Sequence, residues 1–231
     1  MRRAENAREH LDGTLPVADL AASLADVEFL NARFGGHALT IAAVARQASA
    51  APSDRPLVVL DVGGARGDLA IRLVRWARRA GCPIRVIVLE REAATVALAR
   101  RHCASYPEIA IVQGDATALP LRKASVDVAV TVLTLHHLEP DAAVTALREM
   151  RTAARGAVVA NDLLRTRASW LLVWAATRLF ARHRVSWHDG PLSVRRAYSM
   201  KELAALAEKA GLGRVDTRRY PSRARVLMVA S

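Results

Sequence analysis

Short runs of Val, Ile and Leu recur through the middle of this chain, and the intervals between them carry the three-and-four spacing of amphipathic helices. The first run is Leu57-Val58-Val59-Leu60-Asp61-Val62, and further strands are expected over 84–89, 109–112, 126–132 and 157–160. Helices are expected between them over 69–80, 93–103 and 140–152. A strand that is apolar on both sides cannot face water on either, so such runs belong in a parallel sheet covered by helices on both faces. The end of the chain differs. A helix is expected over 201–210, followed by strands over 214–220 and 223–230 joined through Pro221-Ser222, a closing hairpin that makes the sheet mixed. The expected architecture is α/β, a doubly wound, mostly parallel sheet of seven strands with an antiparallel C-terminal hairpin.

Two helical segments fall outside this pattern. The first, residues 1–52, reads as an N-terminal helical cap. Leu20, Leu24, Val27, Leu30 and Phe34 mark one face of a helix over 17–33 that Gly35-Gly36 ends, and a second helix runs over 37–47. The loop at 50–56, with Pro52 and Pro56, separates this cap from a core over 53–231. The second segment is an insertion over 163–184 whose centre, Trp170 to Ala176, is apolar all round and needs cover on more than one side. That cover is expected from residues 15–48, making a lid over a hydrophobic ligand. The alternatives are a second subunit in a homodimer, or a peripheral membrane surface met through tryptophans and arginines. Phe34, Trp170 and Trp174 are the candidate substrate wall. A polar loop over 188–198 is expected to return to the same crevice with Arg196 and Tyr198, before Ser199 and Glu202 form a capping box.

With 231 residues, 52% of them hydrophobic, the chain can bury a large core and does not read as disordered. The two cysteines, Cys82 and Cys103, are too few for a disulfide scaffold or a structural zinc site, so no metal is expected and both read as reduced thiols. No leader is visible after Met1, and the longest apolar run falls short of the ~20 residues a membrane span needs. A soluble, cytoplasmic protein is the expectation. The formal charge is +12, with lysine only at 123, 201 and 209. The arginines are scattered rather than interleaved with aromatics in a stripe, which suits solvated helix faces and does not suit a nucleic-acid partner.

The turn after the first strand carries the chemistry. Asp61-Val62-Gly63-Gly64-Ala65-Arg66-Gly67 joins a strand to a helix, where glycines permit a sharp turn and close approach of a ligand to free helix amides. Glu90 ends the second strand, where a carboxylate can accept both hydroxyls of a ribose. Asp115 follows the third, where it can receive an exocyclic adenine amine. A nicotinamide fingerprint fails, because glycines spaced from Gly63 would fall on Ala65 and Asp68, and from Gly64 on Arg66 and Leu69.

These residues resemble the class I S-adenosylmethionine-dependent methyltransferases, a Rossmann-like family, over about residues 55–231. Asp61, Gly63 and Gly67 match the family's first motif, whose middle glycine is Ala65 here; alanine suits the turn if its φ stays negative. The resemblance implies S-adenosylmethionine as cofactor and S-adenosylhomocysteine as product. It maps the ribose acid onto Glu90 and the adenine contacts onto Asp115 and Ala116. Gly64, Arg91 and Leu133 are counted with the cofactor contacts. Asp61 has a second reading, as a carboxylate that bonds its own glycine turn. The fourth-strand motif spans Asp127 to Leu138, with Asp127 expected as a solvent-facing or turn residue.

Leu135-His136-His137-Leu138 then lies at the C-terminal strand end beside the cofactor, where histidine is the natural base at neutral pH. Similar His-His-Leu sequences occur in small-molecule O-methyltransferases of secondary metabolism acting on natural products and quinone-like phenols. There, a histidine and an acid after strand five, here Asp162, are assigned to proton removal. The resemblance leaves open whether His136 or His137 acts. It equally allows a loop-bonding role for both, and an N-cap role for Asp162. The implied activity is methyl transfer to an oxygen of a hydrophobic phenolic, quinone-like or polyketide-type molecule. The rivals are an rRNA or tRNA methyltransferase and a non-catalytic cofactor-binding relative. The first wants an Asn/Asp-Pro-Pro-aromatic sequence or a crevice thiol, and this chain has neither in place; the second rests on Ala65.

Overall fold

The strand runs are apolar on both sides, and each side finds a layer of helices. The computed structural model describes residues 1–5, 7–48 and 55–231, so the expected boundary between 52 and 53 lies outside the described residues. Strands β1 (Leu57–Val62), β2 (Ile84–Glu90), β3 (Ile109–Gln113), β4 (Val126–Val132), β5 (Ala154–Leu163), β6 (Val215–Tyr220) and β7 (Arg225–Ala230) form one sheet in the order β3-β2-β1-β4-β5-β7-β6. β1 to β5 are parallel. β7 pairs antiparallel with both β5 and β6, so the hairpin docks through its second strand.

The helices are α1 (Val17–Arg33), α2 (Gly36–Ala48), α3 (Asp68–Ala80), α4 (Ala93–His102), α5 (Pro140–Ala153), α6 (Arg167–Phe180), α7 (Arg184–Arg196) and α8 (Met200–Lys209). On one face of the sheet Leu60, Ala129, Val158 and Met228 pack with Leu147 and Met150 of α5 and Leu203 of α8. On the other, Val59, Val128, Val130 and Val159 pack with Leu73 and Val74 of α3 and with Ala43 and Val44 of α2. Each of the valine, leucine and methionine side chains contributes roughly 1.5–3 kcal/mol when fully buried. The capping box of α8 forms as its spacing predicts, with Ser199 N donating to Glu202 Oε2 at 2.7 Å and Glu202 N donating to Ser199 Oγ at 3.3 Å. No described helix is long and apolar enough to cross a membrane.

Three local expectations are corrected. β5 runs past its apolar stretch to Leu163, because Asn161 and Asp162 find buried partners that let polar residues continue the strand. Residues 188–198, read as a loop on Gly190-Pro191, lie largely in α7. Proline in a helix collides with the Cβ of the residue before it, and Gly190 has none. A Cβ on Gly190 would also stand 2.6 Å from Thr177 Cγ2 of α6, so the same glycine lets the two helices meet.

Asp127 is the third correction. It is buried rather than solvent-facing, accepting two hydrogen bonds from Arg55 (2.7 and 2.6 Å), one from Val58 N (2.9 Å) and one from Arg155 (3.3 Å). It therefore ties the start of β1 to β4. The Arg55 guanidinium holds its carboxyl down at about 2. A depressed carboxylate stabilises the fold above its unfolded value, near ~3.9, and loses that contribution as pH falls through the folded value. Asp127→Asn is expected to cost about 1–2 kcal/mol at neutral pH, lowering Tm by about 2–8 °C. In thermal melts run against pH, the gap between variant and wild type should close below about pH 4 and vanish near pH 2.

Candidate functional site

The sheet order reverses direction between β1 and β4, and in an open parallel sheet the crevice beyond those strand ends is where ligands bind. The glycine turn after β1 forms one side. Gly63 N and Gly64 N donate to Leu89 O at 2.8 and 3.2 Å, anchoring the turn to β2. Gly63 has φ +69, and a Cβ there would collide with Thr134 just after β4, so only glycine lets the two loops close on each other. Ala65 corrects the expectation of a negative φ: it adopts φ +47. For an L-residue this left-handed geometry costs roughly 1–2 kcal/mol. The turn holds it there because Ala65 N donates to Glu90 Oε2 at 3.1 Å.

Three carboxylates edge this side. Glu90 Oε1 accepts from Arg91 N (2.8 Å) and Glu92 N (3.2 Å) while Oε2 takes Ala65 N, which fixes the carboxylate at the end of β2. Asp115 Oδ1 accepts from Thr117 N and Oγ1 at 2.7 and 2.6 Å, and these bonds hold its carboxyl below the usual range. Asp61 is 1% exposed, and its Oδ2 has no hydrogen-bond partner among the described residues. Burial, with Glu90 and Asp68 nearby, pushes it up to about 7. These three, with Gly63, Gly64, Ala65, Arg91, Ala116 and Leu133, line a cavity of about 960 Å³. Gly67 does not line it: it turns at φ +81 into α3 and packs against Cys103 Sγ.

The same cavity reaches a cluster of acids and histidines. His136 and His137 sit in a 3-10 turn after β4. His136 Nδ1 lies 2.7 Å from Asp162 Oδ1, and its backbone N donates to Asp162 Oδ2 at 3.1 Å. Asp162 lies within β5 and caps no helix; Thr166 caps α6 instead. Burial works to raise the Asp162 carboxyl, but the charge and hydrogen bond of His136 prevail and hold it low. His137 Nδ1 lies 2.6 Å from Asp12 Oδ1. An aspartate on each Nδ1 fixes both rings with Nδ1–H donating, so both turn Nε2 towards Glu9, at 3.7 and 3.9 Å. Arg196 binds Asp12, lies 3.4 Å from Glu9 Oε1, and donates to His137 O at 3.2 Å. Burial pushes the Glu9 carboxyl up to about 7.

Glu9 and Asp12 are absent from the sequence expectations. They lie at the two ends of a 3-10 turn in the N-terminal segment, Glu9 as its N-cap and Asp12 as its last residue, held across the site by Arg3, which donates to Arg196 O and Leu138 O, and by Asp189, which accepts from His10 N and Leu11 N. No local pattern connects Asp12 with a histidine 125 residues on. Two groups among the described residues bring three metal-ligating atoms within 4.8 Å of one another: Glu9, His136 and His137, and His10, His188 and Asp189. These donor types suit a divalent cation. In the first group Arg196 already supplies positive charge to the carboxylates, and in the second both exposed rings share Asp189 Oδ1.

The remaining wall is apolar. Leu20, Leu24 and Val27 of α1, Phe34 at its end, and Leu172, Val173 and Ala176 of α6 line the cavity, and Phe34 meets Phe180 edge-on at 6.0 Å. Arg196 lines it as expected from the sequence. Trp170, Trp174 and Tyr198 do not. The face of α6 turned inward carries residues 172, 173 and 176, so Trp170 packs on Leu163, Val194 and Ala197 while Trp174 stays 41% exposed. Tyr198 donates its hydroxyl to Leu138 O at 2.7 Å beneath the Arg3 guanidinium.

Comparison with known proteins agrees with this architecture. Residues 59–156 match the family model described as a methyltransferase domain. A candidate S-adenosyl-L-methionine-dependent methyltransferase from Methanococcus maripaludis is 15% identical with a TM-score of 0.68, over 95% of each chain. A candidate O-methyltransferase from Nostoc punctiforme is 16% identical with a TM-score of 0.65, over 99% of this chain and 64% of that one. The CMeT domain of the citrinin polyketide synthase is 16% identical with a TM-score of 0.59, over 78% of this chain and 47% of that one. This chain thus spans about half of the polyketide synthase chain and under two thirds of the Nostoc one, and at these identities the likeness is one of fold. No curated protein matches the sequence.

The strained turn makes its own prediction. Ala65→Gly removes a Cβ from a left-handed residue but adds backbone freedom to the unfolded chain, worth about 0.4–1 kcal/mol. The net expectation is a gain of about 0.5–1 kcal/mol, read as an upward Tm shift of about 1–4 °C.

Proposed function

We propose that this chain, whose residues 59–156 match a methyltransferase-domain family model, is a class I S-adenosylmethionine-dependent methyltransferase that moves the cofactor's methyl group onto an oxygen of a hydrophobic small molecule. A phenolic, quinone-like or polyketide-type acceptor suits the site. The observation that carries this reading is a single cavity that joins the glycine turn to the His136, His137 and Glu9 cluster beneath an apolar helical wall. Such a wall suits a small acceptor better than nucleic acid, which needs a basic groove with aromatic stacking platforms.

The residues present fit the cofactor. Asp61 offers a buried, unpartnered carboxylate oxygen to a cationic ligand. Glu90 is fixed by three backbone amides and keeps lone pairs for ribose hydroxyls, and Asp115 stands beside Ala116 on the adenine side. When bound, S-adenosylmethionine would be held by Asp61, Glu90 and Asp115 and would supply a sulfonium methyl to the acceptor's oxygen, with the thioether sulfur as leaving group. The chain's part is to align the acceptor and take its proton. His137 keeps 28% of its side chain exposed where His136 keeps 2%, so its Nε2 receives the proton. Asp12 holds its Nδ1–H and stabilises the imidazolium that forms. His136, fixed by Asp162, is a positioning residue that backs His137 at 4.2 Å between ring centres.

Two measurements test the reading. S-adenosylhomocysteine at ~100 times its Kd should stabilise the protein by about 2.7 kcal/mol, raising Tm by about 5–10 °C. Glu90→Ala should lose most of that shift. Affinity should rise with pH up to about 7, the value of Asp61, because the ligand's ammonium prefers the ionised carboxylate, and Asp61→Asn should flatten the profile. Methyl-labelled cofactor with a panel of phenols and hydroquinols, followed by mass and NMR analysis of products, then locates the methyl. His137→Ala should lower kcat about 10²–10⁴-fold while leaving the thermal shift intact. A product methylated on carbon, or an undiminished His137→Ala, would overturn the oxygen-transfer mechanism.

A further inference from the structure

A second polar group faces the cavity away from the glycine turn. Arg225 opens β7 beside Leu163, the last residue of β5, and its side chain is buried in the cavity wall. Its Nη2 donates to Asn31 Oδ1 at 2.9 Å, while Nε and Nη1 have no hydrogen-bond partner among the described residues. That bond orients the Asn31 amide, placing its Nδ2 3.5 Å from His37 Nδ1. Nδ1 is then the accepting nitrogen of His37, and the ring proton sits on Nε2, another buried atom with no partner among the described residues. Burial pushes His37 down to about 4, so the ring is neutral at physiological pH.

Arg225 and His37 thus bring three unpartnered donor nitrogens to one corner, joined by Asn31, and all three residues line the cavity. A Cβ on Gly36 would collide with Asn31 Oδ1 and stand 3.0 Å from Arg225 Nε, so the glycine makes room for the Asn31 amide to reach the guanidinium. A buried guanidinium without an anion is unfavourable, and the neighbouring carboxylates are committed elsewhere. Asp162 attracts Arg225 but bonds His136 and Leu163 N, and Glu28, which faces His37, is bonded to Arg72 at 2.6 Å.

We propose that Arg225, His37 and Asn31 form an anion-recognition corner that binds a carboxylate of the acceptor. The acceptor class is then a hydrophobic hydroxy acid, with its hydroxyl at His137 and its carboxylate at Arg225. This rests on the methyl-transfer reading for the hydroxyl end alone. The carboxylate completes the donors that the fold leaves open, and the apolar residues of α1 and α6 cover the body of the molecule between the two polar ends.

The test uses 6-hydroxy-2-naphthoate and its methyl ester, titrated calorimetrically into the wild-type protein with S-adenosylhomocysteine present. A charge-assisted contact of this kind should favour the acid about ten- to a hundredfold over the ester. The preference should disappear in Arg225→Met and shrink in His37→Phe, with each variant's fold checked by its melting transition. If Arg225→Met does not fold, His37→Phe and the wild-type pair decide. Equal binding of acid and ester, or binding of neither, overturns the proposal. So does a preference that survives in every variant that folds. Preferential binding of the acid without any methylated product would leave this corner standing and remove the assigned activity, so the two readings fail separately.

Discussion

Two consecutive polar residues at the end of β5 organise the site. Successive side chains of a strand point to opposite faces, so Asn161 and Asp162 serve different layers from adjacent positions. Asn161 donates to Gly36 O and Thr40 Oγ1, both at 2.9 Å, and fastens α2 to the sheet. Asp162 takes the ring and backbone of His136 and sets the turn after β4. Neither residue is exposed to water, and each would be unfavourable there without its partners. The placement of the N-terminal helices and the orientation of the histidines therefore depend on one short stretch of backbone. Leu133 N donating to Asn161 O at 2.9 Å adds the floor of the crevice to the same stretch.

The arginine-rich composition has two physical meanings in this fold. Many arginines lie on exposed helix faces, as Arg78 does with Glu108 at 2.8 Å, where the ion pair contributes little because both partners remain solvated. Others are inside. Arg196 is 6% exposed and draws Glu9, Asp12 and the His137 carbonyl together, and Arg55 clamps β1 to β4 through Asp127. Guanidinium suits these places because its planar array of donors meets several oxygens at once and its charge is not lost on burial. Net charge alone does not separate the two uses.

The N-terminal segment completes the site that the sheet begins. Classed from the sequence as a cap, it supplies more than cover: Glu9 and Asp12 stand against the histidines, and Ala4 N donates to Arg195 O at 2.9 Å at the end of α7. Because α1 and α6 also share the apolar wall, the end of the cavity away from the glycine turn combines helices outside the sheet with strand-end residues such as Leu163 and Arg225. The glycine-turn end comes from strand ends and the turns that follow them. That division accounts for how differently the two ends could be read in advance.

Local signals settled whatever depends on neighbouring residues. Alternation of apolar runs with helical periodicity determined the layers, Ser199 and Glu202 determined the start of α8, and the glycine turn with Glu90 and Asp115, which all line one cavity, is legible from its spacing. These features are set by spacing along the chain, so the sequence displays them directly. The φ of Ala65, the burial of Asp127, the helix running through Gly190-Pro191 and the outward turn of Trp174 were decided only by the tertiary structure. So was the meeting of Glu9 with His136 and His137. Each depends on a partner brought close by folding, such as Glu90 for Ala65, Arg55 for Asp127, α6 for Gly190 and the N-terminal segment for the histidines. A contact between residues far apart in the chain leaves no periodic trace in either stretch, and only the packed structure shows it.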